Sequence, residues 1–145
     1  MLTHSVREHS EAIVKAMGDA VMATFSLAQD GVSAAVGMIE GVQSLNDKLK
    51  VENYELGLKV GLHEGPALAI NADDRVDYFG QTANIASRVQ GLAKAGEIWI
   101  TKPIFRASGT HDAFSVSGYR EEKQSVFLKG IGEATTVYKM YGVVK

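Results

Sequence analysis

Asp19 follows Gly18 between two short apolar runs, a position that would hold a carboxylate at the tip of a turn. Such a carboxylate suits a hard divalent cation, which takes oxygen ligands together with substrate phosphates. It equally suits the turn itself, because Gly and Asp favour chain reversal. Lys15 stands four residues earlier, and residues four apart in an extended run point to the same face. Lys15 therefore either faces solvent or joins a site. Further along, Asn84 and Arg88 are four apart in a segment with helical spacing and share a helix face. An amide can hydrogen-bond a hydroxyl, and a guanidinium offers phosphate a planar fork. The plain alternative for this pair is a solvated helix face. Asp77 opens the stretch that leads into that helix. Lys129, in Leu128-Lys129-Gly130, is either a phosphate contact from a hairpin loop or a solvated lysine. Gly57, Gly61, Gly65 and Gly80 form neither a GxGxxG nor a P-loop. The histidines lack metal spacing, and there is no Ser-His-Asp elbow.

The elements that must hold these residues can be read from periodicity. Ala12 to Phe25 is β-prone on both sides of Gly18-Asp19 and predicts a hairpin. Val32 to Leu49 repeats apolar residues at three- and four-residue steps, an amphipathic helix with Asp30-Gly31 as its start signal. Leu56, Leu58, Val60 and Leu62 alternate, which predicts a strand with one buried face. A second run starts at Ala67 to Ile70, and Asn71 to Arg75 reads as a polar turn. Gln81 to Ala93 predicts a second helix stopped by Ala95-Gly96. Glu97 to Thr101 reads as a strand, and Lys102 to Ala107 as a short helix with Pro103 near its start. The rest reads as strands over Phe114 to Tyr119, Ser125 to Leu128 and Thr135 to Tyr141. Hairpins mixed with helices predict an α+β fold and not a doubly wound parallel sheet.

The 145 residues suffice for a single domain over residues 1–145 with a real core. Hydrophobic residues at 46% and charged residues at 22% are ordinary globular proportions. A net charge of −2 gives no basic footprint for nucleic acid. The absence of cysteine excludes disulfides, thiolate metal sites and cysteine nucleophiles, and suits a reducing compartment. No apolar run approaches membrane-spanning length, and the first residues do not form a signal peptide, so a cytoplasmic location is expected.

Several blocks together are specific. Lys15 to Phe25 resembles the K-x-x-G-D-x-x-M-x-x-F hairpin of class III nucleotidyl cyclases. Gly61-Leu62-His63-Glu64-Gly65-Pro66 is similar to that family's G-(I/L)-H-x-G-P strand, and Asp77 to Arg88 to its D-x-x-G-x-x-x-N-x-A-x-R signature. Ala95-Gly96-Glu97-Ile98 and Leu128-Lys129-Gly130 match later blocks in order, so the resemblance runs from about Ala12 onward. It implies a ferredoxin-like α+β domain that pairs head to tail, as a homodimer or with a related cyclase domain, and builds its site across the interface. It implies two magnesium (or manganese) ions and attack of a ribose 3′-hydroxyl on the α-phosphate of a nucleoside triphosphate, with release of pyrophosphate.

By the same resemblance, Asp19 corresponds to the second metal-binding aspartate, and Lys15 with Asp77 to the purine-selecting pair of adenylate cyclases. A lysine donor and an aspartate acceptor complement the ring nitrogen and exocyclic amine of adenine; a guanine reader would carry Glu or Cys-like residues there. Asn84 corresponds to the residue that orients the ribose, Arg88 to the arginine that stabilises transition-state charge, and Lys129 to the lysine on the terminal phosphates. The departure is at the front. The family opens with a strand, a first metal aspartate in a D-(I/L)-x-G-F-T-like turn and one or two helices, and no such block precedes Ala12. An N-terminally truncated domain is therefore expected, weak or inactive by itself and inclined to self-associate, with sensory or signalling domains fused to it in the full-length protein. The expected function is conversion of ATP to cyclic AMP in cyclic-nucleotide signalling. The alternatives are a catalytically silent regulatory or dimerisation module and, less favoured by Lys15 and Asp77, a guanylate cyclase.

Overall fold

The structure is a computed structural model that describes residues 12–17, 20–25, 27–49, 57–65, 68–72, 75–79 and 81–142. In chain order its elements are β1 (Ala12–Met17), β2 (Ala20–Thr24), α1 (Ala28–Leu49), β3 (Val60–Leu62), β4 (Leu68–Ala72), β5 (Arg75–Phe79), α2 (Gln81–Gln90), β6 (Glu97–Thr101), α3 (Lys102–Arg106), α4 (Thr110–Val116), β7 (Tyr119–Phe127) and β8 (Ala134–Gly142). A four-stranded sheet runs β3-β6-β8-β7, with β3 parallel to β6 and the other pairs antiparallel. Two hairpins, β1-β2 and β4-β5, stand as separate two-stranded sheets. This is the expected α+β arrangement.

Side chains alternate along β3 and β6, so the sheet has two different faces. On one, Val60, Ile98 and Ile100 meet Val32, Ala35, Val36 and Ile39 of α1, along with Ile104, Phe114, Tyr138 and Met140. The three- and four-residue spacing of the α1 residues lays one apolar stripe on the sheet. Asp30 in the first turn and Lys48 in the last complement the helix dipole. Phe105 stacks on Tyr138 with ring centroids 3.8 Å apart, and Phe114 meets Tyr119 at 5.4 Å. Burial, with Glu40 nearby, pushes the Tyr119 hydroxyl up to about 12. On the other face, Trp99, Val137 and Leu128 pack with Val89 and Ala93 at the C-terminal end of α2. Among the described residues no helix is long and apolar enough to cross a membrane.

Four sequence expectations are corrected. The first helix starts at Ala28, ahead of Val32, with Asp30 inside its first turn. At Gly31, inside that first turn and a half, the Phe25 ring lies 3.3 Å from where a Cβ would be, so a larger residue would press on that ring. Asp77, which opens the stretch expected to lead into the second helix, is in a strand. It lies within β5, opposite Ile70 of β4, and β4 runs on through Ala72 where a polar turn was expected. Phe114 to Val116 is helical and not extended. Thr110 and Phe114, four apart and both buried, form one inward side of α4, and Gly109 enters it at φ 87°, a left-handed conformation that glycine adopts without strain. Finally, Tyr119–Phe127 is one continuous strand where two shorter ones were expected. Arg120 to Lys123 are all exposed, so no alternation marks that half of the strand in the sequence.

Candidate active site

Asn84 and Arg88 lie on the exposed side of α2, while Val89 of the same helix is fully buried and Ile85 is half-buried beneath it. The helix is held at an unusually short distance from the sheet. A Cβ on Gly61 in β3 would fall 2.4 Å from Gln90 N and 2.7 Å from Ala86 O. Only a residue without a side chain lets the α2 backbone rest directly on the strand. At the start of the helix Gly65 lies against a side chain instead, where a Cβ would be 2.8 Å from Thr82 Oγ1. Gly57 does so beyond its end, 2.8 Å from the Ala95 Cβ. Gly61 and Gly65, both within the strand motif quoted from the sequence, are where α2 rests against residues 61–65. The sequence shows the spacing of these glycines, and only the fold shows what each one meets.

The loop that carries Lys129 is anchored to the same layer. Leu128 and Ile131 on either side of it belong to the apolar cluster that contains Val89. The turn closes through the Ile131 N–H donating to the Leu128 carbonyl (3.0 Å), with Gly130 at φ 85°. Lys129 itself is exposed. Glu97 supports this layer too: its Oε1 accepts from Trp99 Nε1 (2.9 Å) and from the Lys94 N–H (2.8 Å). Partial burial works to raise the Glu97 carboxyl. The hydrogen bonds from Trp99 and Lys94, with the Lys139 and Lys94 charges, outweigh it and hold the group below its ordinary 4.5. His63, next after β3, places Nδ1 2.6 Å from Thr101 Oγ1. Burial lowers its pKa from the ordinary 6.5, against the opposing pull of Glu64.

Lys15 lies in β1, opposite Met22 of β2 and just past an irregularity in the pairing. β1 lies against β5, the strand that carries Asp77 and runs directly into α2. The backbone thus brings together the elements bearing Lys15, Asp77, Asn84 and Arg88. Asp19 lies outside the described residues. Among the described residues no three His, Asp or Glu side chains converge on one point. A cavity of about 180 Å³ between α1 and the segments around Leu58 and Ala95 contains none of the sequence-predicted site residues.

The family model described as "Adenylate and Guanylate cyclase catalytic domain" matches residues 2–142, beginning ahead of the hairpin where the motif resemblance starts. The chain is 30% identical over 152 residues to an adenylate cyclase of Anabaena cylindrica, covering 94% of this chain and 29% of that protein. It is 27% identical to guanylate cyclase 2G of Rattus norvegicus, over 95% of this chain and 13% of the relative. The chain therefore spans less than a third of the length of these curated relatives. The fold matches the crystal structure of the guanylyl cyclase Cya2, with a TM-score of 0.76 at 20% identity, covering 99% of this chain and 76% of that one. It also matches the adenylyl cyclase CyaB from P. aeruginosa, with a TM-score of 0.71 at 20% identity, over 99% and 78% of the two chains. A family match across nearly the whole chain, on a fold shared with both kinds of enzyme, places this chain in the class III adenylate and guanylate cyclase catalytic domain family.

Proposed function

We propose that the domain cyclises ATP to cyclic AMP and pyrophosphate as part of a longer signalling protein. The ribose 3′-oxygen loses its proton and bonds to the α-phosphorus as the bond to pyrophosphate breaks. One observation carries the reading: β1 lies against β5, and β5 continues into α2, so Lys15, Asp77, Asn84 and Arg88 stand on adjoining elements. In this reading Lys15 donates to an adenine ring nitrogen and Asp77 accepts from the exocyclic amine. Asn84 holds the ribose, Arg88 meets the charge that develops on the phosphoryl oxygens, and Lys129 binds the terminal phosphates. Relatives of both specificities occur, so adenine selection rests on the Lys15 and Asp77 pair. Magnesium or manganese dependence rests on Asp19 and on a paired domain, a second copy or a related one, completing the site.

The test is a cyclase assay with ATP and with GTP, in magnesium and in manganese, on this chain and on the protein at its natural length. Preference for ATP is expected. A mismatched base leaves buried donors or acceptors unpaired at about 1–3 kcal/mol each, so the discrimination should be strong. Combining Lys15→Glu with Asp77→Cys should shift preference toward GTP. Equal turnover of the two nucleotides by the unaltered protein would overturn adenine selection. Absence of turnover with either would leave the catalytically silent module.

A further inference from the structure

The face of the sheet under α2 contains a polar contact that the cyclase reading leaves unused. β3 and β6 run parallel with Leu62 beside Ile100, so His63 and Thr101 are the next neighbours in line. His63 Nδ1 and Thr101 Oγ1 are 2.6 Å apart. Thr101 is 1% exposed and His63 is half-buried, so the contact is largely withdrawn from water. Thr101 also precedes α3, where a threonine hydroxyl commonly accepts from a free helix N–H. Here it makes no such cap, and its bond goes to the imidazole. The contact survives in either tautomer, because the hydroxyl can donate to a bare Nδ1 or accept from an Nδ1–H.

Two residues beyond His63 is Gly65, whose backbone sits so close to Thr82 that a Cβ would be 2.8 Å from its Oγ1. Thr82 belongs to the first turn of α2, and Asn84 lies two residues further on. At the other end of the helix, Gln90 presses on Gly61. The position of α2 is therefore set by the path of residues 61–65, and within that path His63 is tied to the rest of the sheet by a side chain.

We infer that His63 is a positioning residue: its hydrogen bond to Thr101 fixes the end of β3 and, through the contact of Gly65 with Thr82, seats the first turn of α2 so that Asn84 and Arg88 hold their places. The catalytic consequence rests on the cyclase reading; the seating of α2 does not.

Two measurements on Thr101→Val, Thr101→Ser and His63→Phe decide it. Valine keeps the shape of threonine without the hydroxyl, and serine keeps the hydroxyl. Amide hydrogen exchange within α2 should speed about tenfold in Thr101→Val and in His63→Phe, and stay near the unaltered protein in Thr101→Ser. The double variant His63→Phe with Thr101→Val should exchange no faster than either single one, because both remove the same bond. Steady-state kinetics on the natural-length protein should show kcat down about ten- to a hundredfold, with KM within about twofold, and recovery in Thr101→Ser. Unchanged exchange in α2 for Thr101→Val overturns the inference. So does a uniform rise in exchange across the whole domain, which marks a purely structural contact. If the unaltered protein cyclises neither ATP nor GTP, the cyclase reading fails, and the exchange data alone decide the seating of α2.

Discussion

The two faces of the four-stranded sheet are built on different principles. Against α1 the contact is made by large aliphatic side chains: Val32, Val36 and Ile39 press on Val60, Ile98 and Ile100, all nearly or wholly buried. Against α2 the contact at Gly61 is backbone on backbone, and the surroundings include polar ties between His63 and Thr101 and between Glu97 and Trp99. An aliphatic interface gains free energy in proportion to buried area and tolerates small shifts by repacking. A helix lying directly on a glycine has no side chain to adjust at that point, so its place is fixed closely there, while Val89 on the same helix packs into an apolar cluster with Trp99, Val137 and Leu128. The α1 face carries the larger apolar cluster, and the α2 face adds to a smaller one a close backbone contact that fixes position; the helix with the candidate catalytic residues is on that second face.

Ile98→Ala tests the first half of that contrast with the largest expected effect. The residue is fully buried, and its truncation should cost about 2–5 kcal/mol in urea or thermal unfolding. Turnover per folded molecule should be unchanged. A loss below about 1 kcal/mol would mean that this face is not the main store of stability.

Arg88→Ala is the mirror case. The side chain is exposed, so stability should stay within about 0.5 kcal/mol, while kcat should fall about 100- to 1,000-fold with nucleotide binding less affected. A variant that raised KM alone would remove Arg88 from its transition-state role.

Gly61→Ala joins the two scales. The added methyl meets helix backbone at 2.4 Å, so α2 must move. We expect a loss of about 1–3 kcal/mol, with reduced kcat beyond what the unfolded fraction explains. Full retention of both would show that α2 can lift without consequence.

The smallest effect is in pH. The folded pKa of His63 lies below its ordinary 6.5, because burial disfavours the charged imidazole. The unfolded chain then binds the proton more readily, so stability is complete above pH 6.5 and declines as pH falls from 6.5 through the lower folded value. Glu97, held below its ordinary 4.5, loses its contribution as pH falls below 4.5, a decline that begins at lower pH than that of His63. Unfolding midpoints followed across both windows should therefore show two declines, and His63→Phe should remove the one nearer neutrality.

Much of this was legible in the chain itself. The α1 stripe, the strand Glu97–Thr101 and the pairing of Asn84 with Arg88 on one helix face follow from local periodicity, which is a property of consecutive residues. The family followed from ordered motifs for the same reason. Tyr119–Phe127 was hidden because Arg120 to Lys123, half of the strand, are exposed without alternation. Asp77 stands in an alternating run, Arg75-Val76-Asp77-Tyr78, which is itself a strand signal, but its partner Ile70 is identified only by the pairing of β4 with β5. Gly61 is the clearest limit. The sequence determined that no side chain stands there, and a missing side chain has no meaning until another backbone comes within 2.4 Å of the space it would fill. That approach joins residues far apart in the chain, so only the tertiary structure decided that this glycine seats α2 and the two residues proposed to act on the nucleotide.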